Sequence, residues 1–335
     1  MLKTPLCRQL GIDYPIFSVG FGGGMAGPEL AAAVSNAGAC GVLGMGGVPA
    51  PYIAKQVKRL RELTDKPFGV NIILPLLQEG QIEICLDEQV PILVLFWGDP
   101  KPYVEEAHRR GTKVFIQVGS VAEAQAAAEA GVDAIIAQGV EAGGHVKSTT
   151  SLSTIVPAVV EAVKPVPVIA AGGIANGRGV VAALSLGAQA VSMGTRFLCS
   201  EEARVIQAYK ERVVKSKAED TVYTYLFDVG WPEAAHRVLR NKAVDEWEAA
   251  GRPVSGQRPG EGQIIGTTLM IDTPLEIPRY GVFPPMTGFT GDLEHAALYA
   301  GESCNLVNDI KPAAQIVRDV VREAEEIIKR LETGN

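Results

Sequence analysis

Short apolar runs punctuate the first 200 residues at 16–19, 41–45, 68–73, 92–96, 113–118, 134–137, 166–170 and 190–193. They recur about every 20 to 33 residues, the length of one strand–helix unit. Being apolar on both faces and rich in β-branched residues, they predict parallel strands covered on each side. Segments with helical periodicity lie between them, among them 29–37, 121–130, 154–163 and 179–186. Several close on Ala37-Gly38, Ala130-Gly131 or Leu186-Gly187, immediately before the next run. Glycine there supplies the left-handed residue that ends a helix. Eight such units in series predict an α/β chain folded as a closed (β/α)8 TIM barrel. An open doubly wound sheet is the alternative. It would carry G-x-G-x-x-G after its first strand, where this chain has Val19-Gly-Phe-Gly-Gly-Gly-Met25, glycine-rich but wrongly spaced.

The alternation stops near Ser200. From 212 to 291 the chain is richer in charges, proline and aromatics, with helical candidates at 233–241 and 243–250 and irregular stretches at 251–262 and 274–288. This pattern predicts a barrel formed by 1–211 and 292–335, with a mostly helical lid inserted at 212–291. Helical periodicity returns at 292–300, and a long terminal helix is expected over 312–331.

Composition narrows the class of function. With 31 basic and 38 acidic residues the chain carries a net charge of −7, and no Lys/Arg block offers a track for a phosphate backbone. A nucleic-acid partner is not expected. The five cysteines are far apart and form no C-x-x-C pair. That argues against a zinc site or a disulfide framework, so no metal is expected. No apolar run approaches the roughly 20 residues that cross a bilayer, and the N-terminus lacks a signal-peptide core. The expected setting is cytoplasmic, with no membrane partner.

In a TIM barrel, chemistry sits at the C-terminal ends of the strands. The seventh run leads into Ala170-Ala-Gly-Gly-Ile-Ala-Asn-Gly177 and the eighth into Ser192-Met-Gly-Thr-Arg196. Glycines and helix starts on the last two strands suit an anion such as a phosphate, with tight turns alone as the plainer reading. The sixth run leads into Gln138-Gly-Val-Glu-Ala-Gly-Gly-His145. Its glycines let backbone lie along a flat ligand, and His145 is the natural proton-transfer group near neutral pH. Asn71 interrupts the third run with an amide that hydrogen-bonds either a ligand or a loop. His108 and His295 read as surface or satisfied residues, and Lys147 as a solvated loop charge unless a negative ligand meets it. His236 lies in the inserted segment and could face the site.

These residues resemble the nitronate monooxygenase family (2-nitropropane dioxygenases), whose superfamily also holds FMN-dependent enoyl-ACP reductases and flavin quinone reductases. The likeness covers nearly the whole chain: Pro28 to Gly38, Lys66 to Asn71, Gln138 to His145, Ala170 to Gly177, Gly194-Thr-Arg-Phe197 and the stretch around Leu298-Tyr-Ala-Gly301. It implies FMN at the barrel mouth. The implied contacts are Val19, Gly20 and Phe21 after the first strand, Asn71 after the third, and Gln138 and Gly143 on the sixth. Gly173, Ser192, Met193, Gly194 and Thr195 would surround the phosphate. His145 matches the catalytic histidine. The implied reaction oxidises an alkyl nitronate (or its parent nitroalkane) with O2 to a carbonyl compound and nitrite. NAD(P)H-driven reduction of an enoyl thioester or quinone is the alternative, and ligand binding without turnover a third. A homodimer is compatible with the resemblance. The chain departs from the family pattern at Phe21, Lys147 and Glu302.

Overall fold

The computed structural model describes residues 2–271 and 273–334. Residues 1 and 335, assigned above to the barrel, and 272, assigned to the inserted segment, lie outside the described residues. The apolar runs become β1 (Ile16–Ser18), β2 (Gly41–Gly44), β3 (Phe68–Ile73), β4 (Ile92–Phe96), β5 (Lys113–Val118) and β6 (Ala134–Gln138). After a two-residue strand β7 (Gly144–His145) come β8 (Val168–Ala171) and β9 (Ala190–Met193). Eight strands form one parallel sheet in the order β1-β9-β8-β6-β5-β4-β3-β2. Its ends meet through a parallel bridge between Phe17 and Cys40. There the Cys40 N–H donates to Ile16 O at 2.9 Å and the Ser18 N–H to Cys40 O at 3.1 Å. The sheet curls into a TIM barrel, as the repeating runs predict.

Two apolar layers explain why the runs lack polar faces. Phe17, Val42, Val94, Phe115, Ile136 and Ile169 fill the barrel interior, where Leu6 and Leu10 of the helix Pro5–Leu10 join them. Side chains on the opposite strand faces pack against the outer helices, so both faces are dry. The glycines closing three helices, Gly38, Gly131 and Gly187, have φ of 89°, 86° and 96°, the left-handed conformation expected of them.

Beyond Ser200 the prediction of a mostly helical insertion is corrected. Residues 212–291 hold β10 (Thr221–Thr224), β11 (His236–Leu239), β12 (Ile264–Met270), β13 (Thr273–Pro278) and β14 (Thr290–Gly291). The helices there are Lys242–Ala249, the short 3-10 turn Ala218–Asp220 and the end of Gln207–Lys215. The predicted helix at 233–241 is instead β11, antiparallel to β10 on one side and to β7 on the other. All four of its residues are buried, and a one-sided helical stripe cannot satisfy such a segment; pairing on both edges overrides its helical pattern. The predicted helix at 292–300 reduces to the turn Leu293–His295. Ala296, Ala297, Leu298 and Ala300 beyond it are buried among three different clusters, so they run extended. The terminal helix is present as Ala313–Thr333. Among the described residues, no helix is long and apolar enough to cross a membrane.

Candidate active site

A cavity opens at the C-terminal ends of the strands, where the barrel architecture places it. Val19, Gly20, Phe21, Asn71, Gln138, Gly143, Gly173, Ser192, Gly194 and Thr195 line it, together with His145. Met193 alone of the predicted contacts does not. As the last residue of a short buried strand, it turns its side chain into the layer between barrel and helices. Only its backbone serves the site, the Met193 carbonyl accepting the Val19 N–H at 3.1 Å.

One side of the cavity is made of backbone. Gly172 and Gly173 turn the chain out of β8 with φ of 110° and 68°, a route that L side chains rarely take. Asn176 then caps the helix Gly177–Ser185 by accepting the Gly179 N–H at 3.1 Å. The N–H groups of Gly173, Gly194 and Thr195 donate no hydrogen bond among the described residues. Such free donors make a ready anion cradle. Gly20 and Gly143 serve a different end. A Cβ on Gly20 would lie 2.6 Å from Asn71 Cβ, and one on Gly143 2.2 Å from Gly301 N. Both are glycine because chain segments cross there.

Several polar residues hold the walls. Gln138 spends its amide on the loop, donating to His145 O at 2.9 Å and accepting the Lys147 N–H at 3.1 Å. Asn71 donates to Val94 O at 3.1 Å, which fixes its amide at the cavity edge. Thr195 accepts the Gly301 N–H at 3.0 Å, tying the segment after β9 to the C-terminal stretch. Arg237 donates to Val140 O at 2.9 Å and pairs with Glu302 at 3.1 Å, so the departure at Glu302 supplies a carboxylate for a buried guanidinium.

The other side is aromatic. Trp231 stacks on the His145 ring with centroids 4.1 Å apart at 26°, and the Tyr299 ring lies 5.5 Å away. Trp231, Tyr299, Val282, Phe283 and Pro284 all line the cavity, and none was anticipated from sequence. Trp231, Val282, Phe283 and Pro284 come from the inserted segment, where no periodicity marks a residue as facing a site, and Tyr299 from the stretch expected as a helix over 292–300. The one local hint was composition, Gly230-Trp231-Pro232 amid charged residues.

The cavity carries no charge: among the described residues, no Lys, Arg, Asp or Glu lines it. Burial holds the His145 pKa well below the usual histidine value, and neighbouring His236 lowers it further. His145 is therefore neutral at neutral pH, and its Nε2 is buried without a hydrogen-bond partner. His236 does not line the cavity. It is fully buried behind His145, with Nδ1 2.8 Å from Ala234 O and Nε2 accepting the Phe227 N–H at 3.2 Å. Burial lowers its pKa to about 4. His108 pairs with Asp133 at 2.8 Å, and His295 with Asp292 at 2.7 Å, as satisfied residues do. Lys147 turns away from the cavity to pair with Glu123, 5.7 Å from the Trp97 ring centre. All five cysteines are buried, and burial pushes the Cys199 thiol up to about 12, which removes it as a nucleophile.

The nitronate monooxygenase family model matches residues 3–82 and 77–323, nearly the whole chain. The chain belongs to the nitronate monooxygenase family. A probable nitronate monooxygenase of Staphylococcus saprophyticus is 31% identical over 98% of this chain and 99% of its own length. A (3aS,4S,5R,7aS)-5-hydroxy-7a-methyl-1-oxo-octahydro-1H-indene-4-carboxyl-CoA dehydrogenase of Mycobacterium tuberculosis is 36% identical over 75% of this chain and 70% of its own. Among solved structures, FabK from Thermotoga maritima superposes with a TM-score of 0.80 at 33% identity, covering both chains completely. A nitroalkane oxidase from Streptomyces ansochromogenes gives 0.78 at 27% identity, covering 97% of this chain and 99% of its own. The protein is a flavin-dependent oxidoreductase with a small-molecule substrate.

Proposed function

We propose that the flavin is FMN and that the reaction is oxidation of a small nitroalkane, through its nitronate, with O2 to a carbonyl compound and nitrite. The observation that carries this reading is His145: neutral, with Nε2 buried and unpartnered, at the edge of a charge-free cavity. An ordinary nitroalkane is neutral, and its oxidation begins with loss of an α-proton. A neutral imidazole can take that proton at Nε2, whereas a protonated one cannot.

The residues present fit FMN. The unpaired N–H groups of Gly173, Gly194 and Thr195 would hold its phosphate without any cation. Val19, Gly20, Phe21, Asn71, Gln138, Gly143 and Ser192 would border the ring system. When bound, the flavin supplies the electron transfer to dioxygen. Residues 212–291, which bring Trp231, Val282 and Phe283 over the cavity, would act as a lid that keeps water from His145. The full-length likeness to FabK supports a second reading, NAD(P)H-dependent reduction of an enoyl thioester or quinone at the same site.

Anaerobic mixing separates the two. On the first reading a nitronate bleaches the oxidised flavin band and NAD(P)H does so poorly; the reverse result would replace it with the second. Mass spectrometry of the released chromophore tests the cofactor, and FAD there would overturn the FMN assignment.

A further inference from the structure

A general base must be held in place, yet the His145 ring makes no hydrogen bond among the described residues, and its Nε2 is buried without a partner. What surrounds it is aromatic. Trp231 stacks on it at 4.1 Å and 26°, while Tyr299, His236 and Trp97 approach at 5.5, 5.6 and 6.4 Å. Only Trp231 lies face to face with the imidazole, and it is 6% exposed.

The turn that carries Trp231 is pinned at several points. The Trp231 N–H donates to Asp228 O at 3.0 Å, Val229 N–H to Tyr280 O at 3.1 Å, and Val282 N–H to Val229 O at 3.0 Å. The Asp228 carboxylate accepts from Arg258 at 2.7 Å. That guanidinium is buried, donates also to Leu226 O at 2.7 Å, and lies 4.6 Å from the Tyr280 ring centre. Such an arrangement is rigid because each member has its partners.

We infer that Trp231 is a positioning residue for His145: anchored through Asp228 and Arg258, it fixes the plane of the imidazole by stacking and excludes water from that face. This rests on the reading of His145 as the proton-transfer group. Among the described residues, no neighbouring element offers an unpaired charge that would do the same work. His236, from β11, is held by Ala234 O and the Phe227 N–H. Arg237, beside it, pairs with Glu302. Glu141, earlier in the same loop, accepts the Leu152 N–H. Lys147 is paired with Glu123 beyond Trp97, and Tyr299 donates its hydroxyl to Val282 O. Burial is the leading cause of the depressed His145 pKa, so opening the Trp231 face raises it toward the ordinary 6.5.

The test uses flavin-loaded wild type, Trp231→Phe, Trp231→Leu and Trp231→Ala. The His145 ring is titrated by NMR, with the His145→Asn spectrum identifying its signal, and kcat and KM are measured against pH with a neutral nitroalkane. The wild-type ring stays neutral well below pH 6.5. In Trp231→Ala its midpoint moves up toward 6.5, the acid limb of kcat/KM follows, and kcat falls about tenfold or more, as for other misplaced catalytic groups. Trp231→Phe keeps a stacked face and stays near wild type. Trp231→Leu fills space without a π-face and loses kcat. If Trp231→Ala fails to fold, the Phe–Leu contrast decides alone. Wild-type titration and kcat in a folded Trp231→Leu or Trp231→Ala would overturn the inference. Unchanged turnover in His145→Asn would instead remove the catalytic reading, and the ring titration would still decide whether Trp231 sets the imidazole's environment.

Discussion

The two sides of the cavity are built from opposite materials. On one side, Gly173, Gly194 and Thr195 present main-chain N–H groups, and Gly20 and Gly143 let segments cross at distances no side chain tolerates. On the other, Trp231 from the inserted segment and Tyr299 from the stretch before the terminal helix crowd His145 with rings. Backbone donors suit a ligand part that carries charge, because they stabilise an anion without bringing a counter-ion into a dry cavity. Aromatic walls suit a proton-transfer group, because they keep an imidazole unsolvated and neutral. The difference teaches how a cavity with no charged side chain among its described lining residues would, on the proposed reading, hold an anionic cofactor and also move a proton.

The largest effect should come from the aromatic side. His145→Asn keeps its flavin and loses about 10²–10⁴-fold in turnover of a neutral nitroalkane, measured as initial nitrite release. Flavin loss in that variant would move His145 to the cofactor-holding side.

A second test probes how dry that side is. His236 has a folded pKa of about 4 against about 6.5 when unfolded. Between these values the unfolded chain binds the extra proton, so stability rises with pH across the window and is lost as pH falls from 6.5 toward 4. The expected loss from pH 7 to pH 5 is about 2 kcal/mol, visible as a drop in Tm. His236→Gln should flatten that part of the profile, and an identical acid-side loss in the variant would show that His236 is not its source.

The glycine side separates into packing and binding roles. Gly143→Ala drives a methyl into Gly301 N and Ala300 C, at 2.2 and 2.4 Å, and should cost about 1–3 kcal/mol of stability. At Gly194 the added methyl meets only Val19 and Phe21 side chains, at 3.7 and 3.8 Å. Gly194→Ala should therefore melt like wild type while releasing flavin more readily on dilution. Undiminished flavin retention would place the phosphate elsewhere. The smallest effect belongs to Glu302, which is partly exposed. Glu302→Gln should change stability by under about 1 kcal/mol, because Arg237 keeps its bonds to Val140 O and Thr221 Oγ1.

The same contrast explains what could be read from sequence. The barrel strands and the glycine side were legible because both are local. A buried strand announces itself as an apolar run, and a turn at positive φ as a glycine. The ends of β6, β8 and β9 then fall at the cavity by the geometry of the fold. The aromatic side was hidden because its contacts are long-range. His236-Arg-Val-Leu239 offers a weak helical pattern, and only pairing with β10 and β7 makes it a strand. Trp231 reaches His145 through a turn fixed by Arg258, a relation no spacing encodes. The Met193 side chain stays out of the cavity for a simpler reason: alternation along β9 sends Ser192 to the cavity and its neighbour into the outer layer.

The most direct test of the account gives His145→Asn the substrate with its proton already removed. A preformed nitronate, mixed with the flavin-loaded variant, should be oxidised at a rate close to wild type, while the parent nitroalkane at the same pH remains slow by the full 10²–10⁴-fold. Equal losses on both substrates would contradict it, because His145 would then stabilise a bound anion and not act as a neutral base.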